Sequence, residues 1–179
     1  MKVTKEVRKA QKGQATAFEK LIREHQLIMY RVAKTKLFKE EDCADAIQEA
    51  ILKAFRSIES LREPKYFKTW LLRIVMNECY AILRKKQKII DIDTYHEPYT
   101  EEQGFKEVEV KDMLEQLSPE YSEVLKLYYL DDLTMKDIAI ILDVSENTVK
   151  TRVRRARQQA HSIISKGEED AGWNSGKKS

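Results

Sequence analysis

From Tyr66 to Lys88 the chain reads YFKTWLLRIVMNECYAILRKKQK, 23 residues without a glycine or a proline. Phe67, Trp70, Leu71, Ile74 and Val75 recur at i, i+3, i+4, i+7 and i+8, and Cys79 and Ile82 continue the series. That period is one apolar side of an α-helix, and a helix with one apolar side must bury it against another element. Only five glycines and three prolines occur in 179 residues, so the remaining elements are expected to be helices too. A second stripe, Arg73, Asn77, Tyr80 and Arg84, follows the same period with polar, cationic and planar side chains. Arg84, Lys85, Lys86 and Lys88 then suit the negative end of the helix dipole. Two readings of this stripe stay open: a solvated cationic face, or a surface that holds unstacked bases.

The net charge of +3 conceals an uneven distribution. Residues 1–90 carry 21 basic and 11 acidic side chains, residues 91–123 carry 2 and 11, and residues 124–179 carry 10 and 8. Two cationic blocks separated by an anionic one point to two nucleic-acid contacts with something different between them. Cys43 and Cys79 form no CxxC pair, and His25, His96 and His161 are isolated, so neither a disulfide framework nor a metal site is expected. No cluster of carboxylates, His or Cys suits catalysis, and no glycine-rich phosphate loop appears, so neither an enzyme nor a cofactor is expected. No apolar run reaches the length of a membrane span and no signal-peptide core opens the chain, which leads us to expect a cytoplasmic protein without membrane insertion.

The chain divides by composition into a basic segment 1–14, a helical domain 15–88, an acidic linker 89–107, a second helical domain 108–165 and a disordered tail 166–179. Thr16 and Glu19 have capping-box spacing. The helix they open aligns Phe18, Leu21, Ile22, Ile28, Met29, Val32 and Ala33, and His25 falls on that stripe as a core or boundary residue. A further helix starting near Glu40–Asp42 is expected to bury Ala44, Ile47, Ile51, Ala54, Phe55 and Ile58. Its other face carries Asp45, Gln48 and Glu49, which is either a solvated stripe or a docking surface for a basic partner. The linker contains Pro98, Gly104, many acids and no sustained period. After it, Met113, Leu114 and Leu117 restart a helical stripe, and Ser118-Pro119-Glu120 is a helix start with Pro at its first position.

Leu133–Arg157 reads LTMKDIAIILDVSENTVKTRVRRAR, the pattern of a helix-turn-helix. Thr134 caps a short helix, Asp143-Val144 makes the turn, and Ser145 caps a second helix with Val149, Val153, Ala156 and Ala160 inward. Asn147, Lys150, Thr151, Arg154 and Gln158 then face the other way, as a recognition helix in a major groove requires. Lys150, Thr151 and Arg154 are placed to reach base edges, and Arg152, Arg155 and Arg157 to reach phosphates.

On these residues the chain resembles the extracytoplasmic-function (ECF) group of bacterial RNA polymerase sigma factors. Asp45-Ala46-Ile47-Gln48-Glu49 is similar to the family's D-x-x-Q-E helix. Phe67-Lys68-Thr69-Trp70-Leu71-Leu72-Arg73-Ile74 with Asn77 is similar to its F-x-x-W-L-x-R-I-x-x-N helix. Leu142 to Arg152 is similar to its L-G-V-S-x-x-T-V-K-S-R reader, with Asp143 in place of Gly and Thr151 in place of Ser. The resemblance implies an all-α fold of two small helical domains, sigma domain 2 over 15–88 and domain 4 over 108–165. It implies that Asp45, Gln48 and Glu49 dock on the β′ clamp helices of core RNA polymerase, whose β flap would meet domain 4. It assigns Arg73, Asn77, Tyr80, Arg84, Lys85 and Lys86, with the Ser60–Lys65 loop, to the −10 element as a single strand. Asn147, Thr148, Lys150, Thr151, Arg152, Arg154 and Arg155 would read the −35 element as a duplex. An anti-sigma factor is the partner such proteins commonly have.

Two promoter elements two helical turns apart lie roughly 70 Å from each other. About twenty relaxed linker residues span only about 25 Å, so the linker must be drawn nearly straight when both domains engage. The rival reading is a free-standing DNA-binding regulator whose N-terminal helices sense or oligomerise. Such a regulator has no use for the Asp45–Glu49 stripe.

Overall fold

A computed structural model describes residues 2–90, 112–130 and 133–175, and among these residues all regular structure is helical. The expected linker, residues 89–107, lies outside the described residues apart from Ile89 and Ile90, which extend a helix. The order is α1 (Lys2–Gln11), α2 (Ala15–Lys34), α3 (Glu40–Ser57), short 3-10 turns at Ile58–Ser60 and Pro64–Tyr66, and α4 (Phe67–Ile90). The C-terminal half has α5 (Pro119–Tyr128), α6 (Met135–Leu142) and α7 (Glu146–Ser175), with residues 112–116 also helical ahead of α5.

The basic N-terminal segment is itself a helix. Val7 and Ala10 are buried, with Val3 packed alongside, and Gln11 Nε2 donates to the carbonyls of Ile58 (3.0 Å) and Leu61 (2.8 Å). The i, i+4, i+7 spacing of Val3, Val7 and Ala10 was its signal, obscured by the surrounding lysines. Gly13, at φ +84°, ends α1 in a conformation that suits glycine. The chain therefore turns two residues before Thr16: Gln14 is the extended N-cap of α2, and its carbonyl accepts from Ala17 and Phe18 N–H. Thr16 thus falls inside the helix, and the expected capping box with Glu19 does not form.

In α3 the buried residues are Cys43, Ala46, Ala50 and Ala54, with Ile58 just beyond, a stripe rotated from the expected one. The small side chains let α3 approach α4 closely. Ala44 and Phe55 are exposed and Ile47 and Ile51 half-buried. These larger residues turn instead toward α2, where they wall a groove described below. The correction shows that volume, as well as hydrophobicity, chose the inward face.

Helix α4 is the wall between the two halves. Phe67, Leu71, Val75 and Cys79 are fully buried as expected, Trp70, Ile74 and Ile82 only half-buried, and Leu72 and Met76 are fully buried as well. Phe67 stands edge-on to His25 (5.4 Å), whose Nδ1 lies 2.7 Å from the Leu21 carbonyl. Glu78, buried on the same helix, accepts from Lys53 Nζ of α3 at 2.6 Å. The extra burial arises because α4 packs against α2 and α3 and also against α6. One cluster of buried side chains runs from α2, α3 and α4 through Ile138, Ala139 and Ile141 to Val149 and Val153.

The helix-turn-helix forms as read. Thr134 Oγ1 accepts from Asp137 N–H (3.1 Å) while Asp137 Oδ2 accepts from Thr134 N–H (3.0 Å), a complete capping box. Asp143 closes α6 in the left-handed region (φ 56°, ψ 45°), and Ser145 Oγ accepts from Thr148 N–H at 3.0 Å to open α7. Val149, Val153, Ala156 and Ala160 are buried. Leu117, Leu125 and Ala156 make a second small core under the middle of α7. The backbone of α7 continues to Ser175, so residues 166–175, expected as part of a disordered tail, prolong that helix.

Candidate nucleic-acid and partner interfaces

Three surfaces carry the candidate residues. On α7, Asn147, Lys150, Arg154 and Arg155 are exposed and Thr151 is half-buried on the side opposite the core. Lys150 is paired with Glu146 one turn earlier (2.8 Å), a solvent-exposed pair that a phosphate or base edge displaces readily. The Thr148 hydroxyl is engaged with Ser145 Oγ (2.7 Å) and serves the cap. Arg152 reaches back to Glu120 of α5 (3.2 Å), and Arg157 lies over the Tyr128 ring (4.6 Å). These two arginines brace α7 against α5, so the cations of this face not engaged by another helix are Lys150, Arg154 and Arg155. The paired roles of Arg152 and Arg157 were invisible in sequence because their partners lie 32 and 29 residues away.

The α4 stripe is divided. Asn77, Arg84 and Lys85 are exposed, and Lys86 is half-buried in an ion pair with Asp42 of α3. Arg73 and Tyr80, by contrast, meet the C-terminal half. Arg73 is paired with Asp143 (2.8 Å) and the Tyr80 hydroxyl donates to Glu123 Oε1 (2.5 Å). Lys36 of α2 also reaches Glu123 (3.1 Å) and lies over the Tyr80 ring (5.1 Å). Thr69, buried one turn before Arg73, donates to Asp137 Oδ1 at 2.6 Å. Thr69, Arg73, Met76 and Tyr80 recur at i, i+4, i+7 and i+11, so one face of α4 makes all these contacts.

The electrostatics follow from that packing. Burial and then the Glu123 carboxylate push the Tyr80 phenol well above its usual range, so it stays a donor. At Asp137 burial works upward, but hydrogen bonds from Thr134 and Thr69 outweigh it and hold the carboxyl below its ordinary 3.8. Burial pushes the Cys79 thiol up to about 12 and raises that of Cys43, so both remain protonated and unreactive. Among the described residues no group of His, Cys, Asp and Glu is arranged to hold a metal ion, and no helix is long and apolar enough to cross a membrane.

The third surface is on α3. Asp45, Gln48 and Glu49 are exposed and make no ion pair among the described residues. Beside them an open groove runs between α2 and α3, lined by Phe18, Ile22, Ile47, Ile51 and Phe55 and continuing past Leu27. Phe55 and Leu27 are 54% and 62% exposed, unusual for side chains of this size. Sequence reading assigned Phe55 and Ile51 to the core and so missed this groove. The two short turns ahead of α4 are also held: α1 fixes Ile58–Leu61 through Gln11, and Lys136 of α6 lies over the Tyr66 ring (5.8 Å).

Comparison with known proteins locates two families in the same order along the chain. Residues 21–89 match Sigma-70 region 2, and residues 107–159 match Sigma-70, region 4. The RNA polymerase sigma factor SigV of Bacillus subtilis (strain 168) is 32% identical over 138 residues, covering 75% of this chain and 83% of that protein. The ECF RNA polymerase sigma-E factor of Escherichia coli (strain K12) is 30% identical over 172 residues, covering 85% and 88%. In fold, the chain is similar to the sigma factor RpoE solved in complex with the anti-sigma factor NepR from Bartonella quintana (TM-score 0.70, 22% identity, 83% of this chain and 96% of that one). It is likewise similar to CnrH solved in complex with the cytosolic domain of CnrY (TM-score 0.69, 20% identity, 91% and 97%).

Proposed function

The chain belongs to the sigma-70 family of RNA polymerase sigma factors, in its ECF group, and from that premise we propose how its three surfaces divide the work of starting transcription. The groove between α2 and α3, with Asp45, Gln48 and Glu49 along its edge, takes the β′ clamp helices of core polymerase. An apolar floor supplies the affinity and the acidic rim the orientation toward a basic helix. The α7 face reads the −35 duplex, with Lys150, Thr151 and Arg154 at base edges and Asn147 and Arg155 alongside. The α4 face, with Asn77 and Arg84 already presented and Arg73 and Tyr80 added when the domains part, holds the −10 element as a single strand. Unstacking a base costs a few kcal/mol, offset by stacking on the planar side chains and by the phosphate contacts of Arg84 and Lys85. Opening by capture consumes no nucleotide, and the protein acts as a specificity subunit without catalysis of its own.

An anti-sigma factor is the regulator this reading expects, since a fold-related sigma factor was solved with one. The exposed α2–α3 groove is the surface whose occupation would exclude polymerase. Work on polymerase and promoter DNA places the protein in the cytoplasm. The observation that carries the proposal is that one chain presents an unpartnered acidic stripe beside an apolar groove as well as an exposed recognition helix. A free-standing regulator needs only the second. The test is transcription in vitro with purified core polymerase on a promoter library. Initiation from a defined subset that fails with Asp45→Ala/Glu49→Ala supports it, and sequence-specific DNA binding that never recruits polymerase refutes it.

A further inference from the structure

We propose that Glu146 and Lys150 act together as a specificity element of the recognition helix, reading one C·G base pair of the −35 duplex through the cytosine amine and the guanine carbonyl. The inference rests on the proposed docking of α7 in a major groove, and adds to it a residue and the base pair which that residue selects.

Glu146 is the first residue of α7 and the one acid in residues 146–158, a stretch otherwise charged by Lys150, Arg152, Arg154, Arg155 and Arg157. The N-terminal residues of a recognition helix are the ones that meet base edges, and Glu146 is exposed there beside Asn147. Its carboxylate is not needed to close the helix end. Ser145 Oγ caps α7 by accepting from Thr148 N–H at 3.0 Å, whereas Glu146 Oε1 is paired with Lys150 Nζ, one turn on, at 2.8 Å. The Lys150 ammonium holds the Glu146 carboxyl below its ordinary pKa, so the group is a charged acceptor.

An acid on a surface that approaches a phosphate polyanion is unfavourable unless it meets a hydrogen-bond donor. In the major groove the donors on base edges are the exocyclic amines, cytosine N4 and adenine N6. Lys150 decides between them. In a C·G pair cytosine N4 lies beside guanine O6 at the length of an N–H···O hydrogen bond, about 2.9–3.0 Å. Glu146 Oε1 and Lys150 Nζ stand side by side at nearly that spacing. The carboxylate then accepts from N4 while the ammonium donates to O6 and N7, so each charge exchanges one partner for another.

The other pairs fit less well. An A·T pair also sets an amine beside a carbonyl, but it brings adenine N7, an acceptor, toward the carboxylate and the thymine methyl toward the ammonium. Reversing either pair sets an acceptor against the carboxylate and a donor against the ammonium. C·G in one orientation is therefore the pair that satisfies both side chains. A carboxylate that merely steadied the first turn of α7 through the helix dipole would act on every sequence alike, and base preference tells the two roles apart.

The experiment is selection from duplexes randomised across the −35 region, by the full chain alone and by the full chain with core polymerase, for wild type, Glu146→Gln and Glu146→Ala. The expected result is one position at which the wild type prefers C·G to A·T by about 5- to 150-fold, the factor a good base contact carries. Glu146→Gln should move that preference to A·T, because glutamine pairs with adenine N6 and N7. Glu146→Ala should remove the discrimination against A·T, and both variants should leave the other positions unchanged. The Ser145 cap is intact in each, so the helix is expected to stay folded, which thermal unfolding checks. Preferences identical at every position in the three proteins, or an equal change on all sequences, overturn the reader. Transcription from the selected duplexes separates this from the parent reading. Initiation with preferences blind to residue 146 removes the reader alone. A position that depends on residue 146, with no initiation by core polymerase, keeps the reader and removes the proposed function. If neither form of the protein selects any sequence, both fall.

Discussion

The two faces proposed to meet nucleic acid are built in opposite ways. The α7 face belongs to a motif whose caps and turn lie within residues 134–148, and its Lys150, Arg154 and Arg155 make no ion pair with another element among the described residues. The α4 face lies on a helix packed on two sides, and its side chains are shared between an inner core, an acidic neighbour on α3 and the C-terminal domain. A surface that reads a rigid duplex can be prepared in advance by local structure. A surface that grips unstacked bases has aromatic and cationic groups that find other partners when no strand is present.

The sharpest way to break this comparison is to weaken the N-terminal core alone. Phe67→Ala removes a fully buried ring and should destabilise the N-terminal half by about 3–5 kcal/mol in denaturant unfolding. Binding of duplex DNA through α7 should survive. Loss of both together would show that the α7 face also depends on the shared wall.

Tyr80→Ala should lower strand opening by about 5- to 150-fold, the range that base–aromatic stacking spans, measured by permanganate reactivity of unpaired thymines. Binding to an intact −35 duplex should be unaffected. Equal loss in both assays would collapse the distinction between the faces.

Arg154→Ala should act at a single base pair, costing about 1–3 kcal/mol of discrimination there. Arg155→Ala should instead weaken binding to all sequences and lower the salt slope by about one. The same contrast is not expected for Arg152→Ala, because Arg152 is engaged with Glu120 and its loss should appear in stability.

Thr134→Ala removes the capping box of α6 and should cost about 1 kcal/mol of stability. The smallest effect is pH-dependent. Asp137 has a lowered pKa in the fold, so its contribution is fully present above its unfolded value near pH 4 and is lost as pH falls through the lower folded value. Thermal unfolding at descending pH should show that loss, and Asp137→Asn should flatten it. Since Asp137 also accepts from Thr69, the domains should part over the same acidic range.

Much of this protein was legible as text because helical motifs are local. The capping box at Thr134, the turn at Asp143, the Ser145 cap and the inward Val149, Val153, Ala156 and Ala160 each involve partners within a few residues, so spacing alone defined them. The apolar series beginning at Phe67 likewise declared an all-α fold. The tertiary structure decided what spacing cannot encode: which of two apolar stripes on α3 turned inward, that Phe55 and Leu27 would line an open groove, and that α4 would be packed from both sides. It also decided that Arg73 and Tyr80 would have carboxylate partners 70 and 43 residues along the chain. The reason is one of range: hydrogen bonds and periodicity within a helix are set by neighbours in sequence, whereas volume matching and charge pairing between helices are set by which surfaces meet.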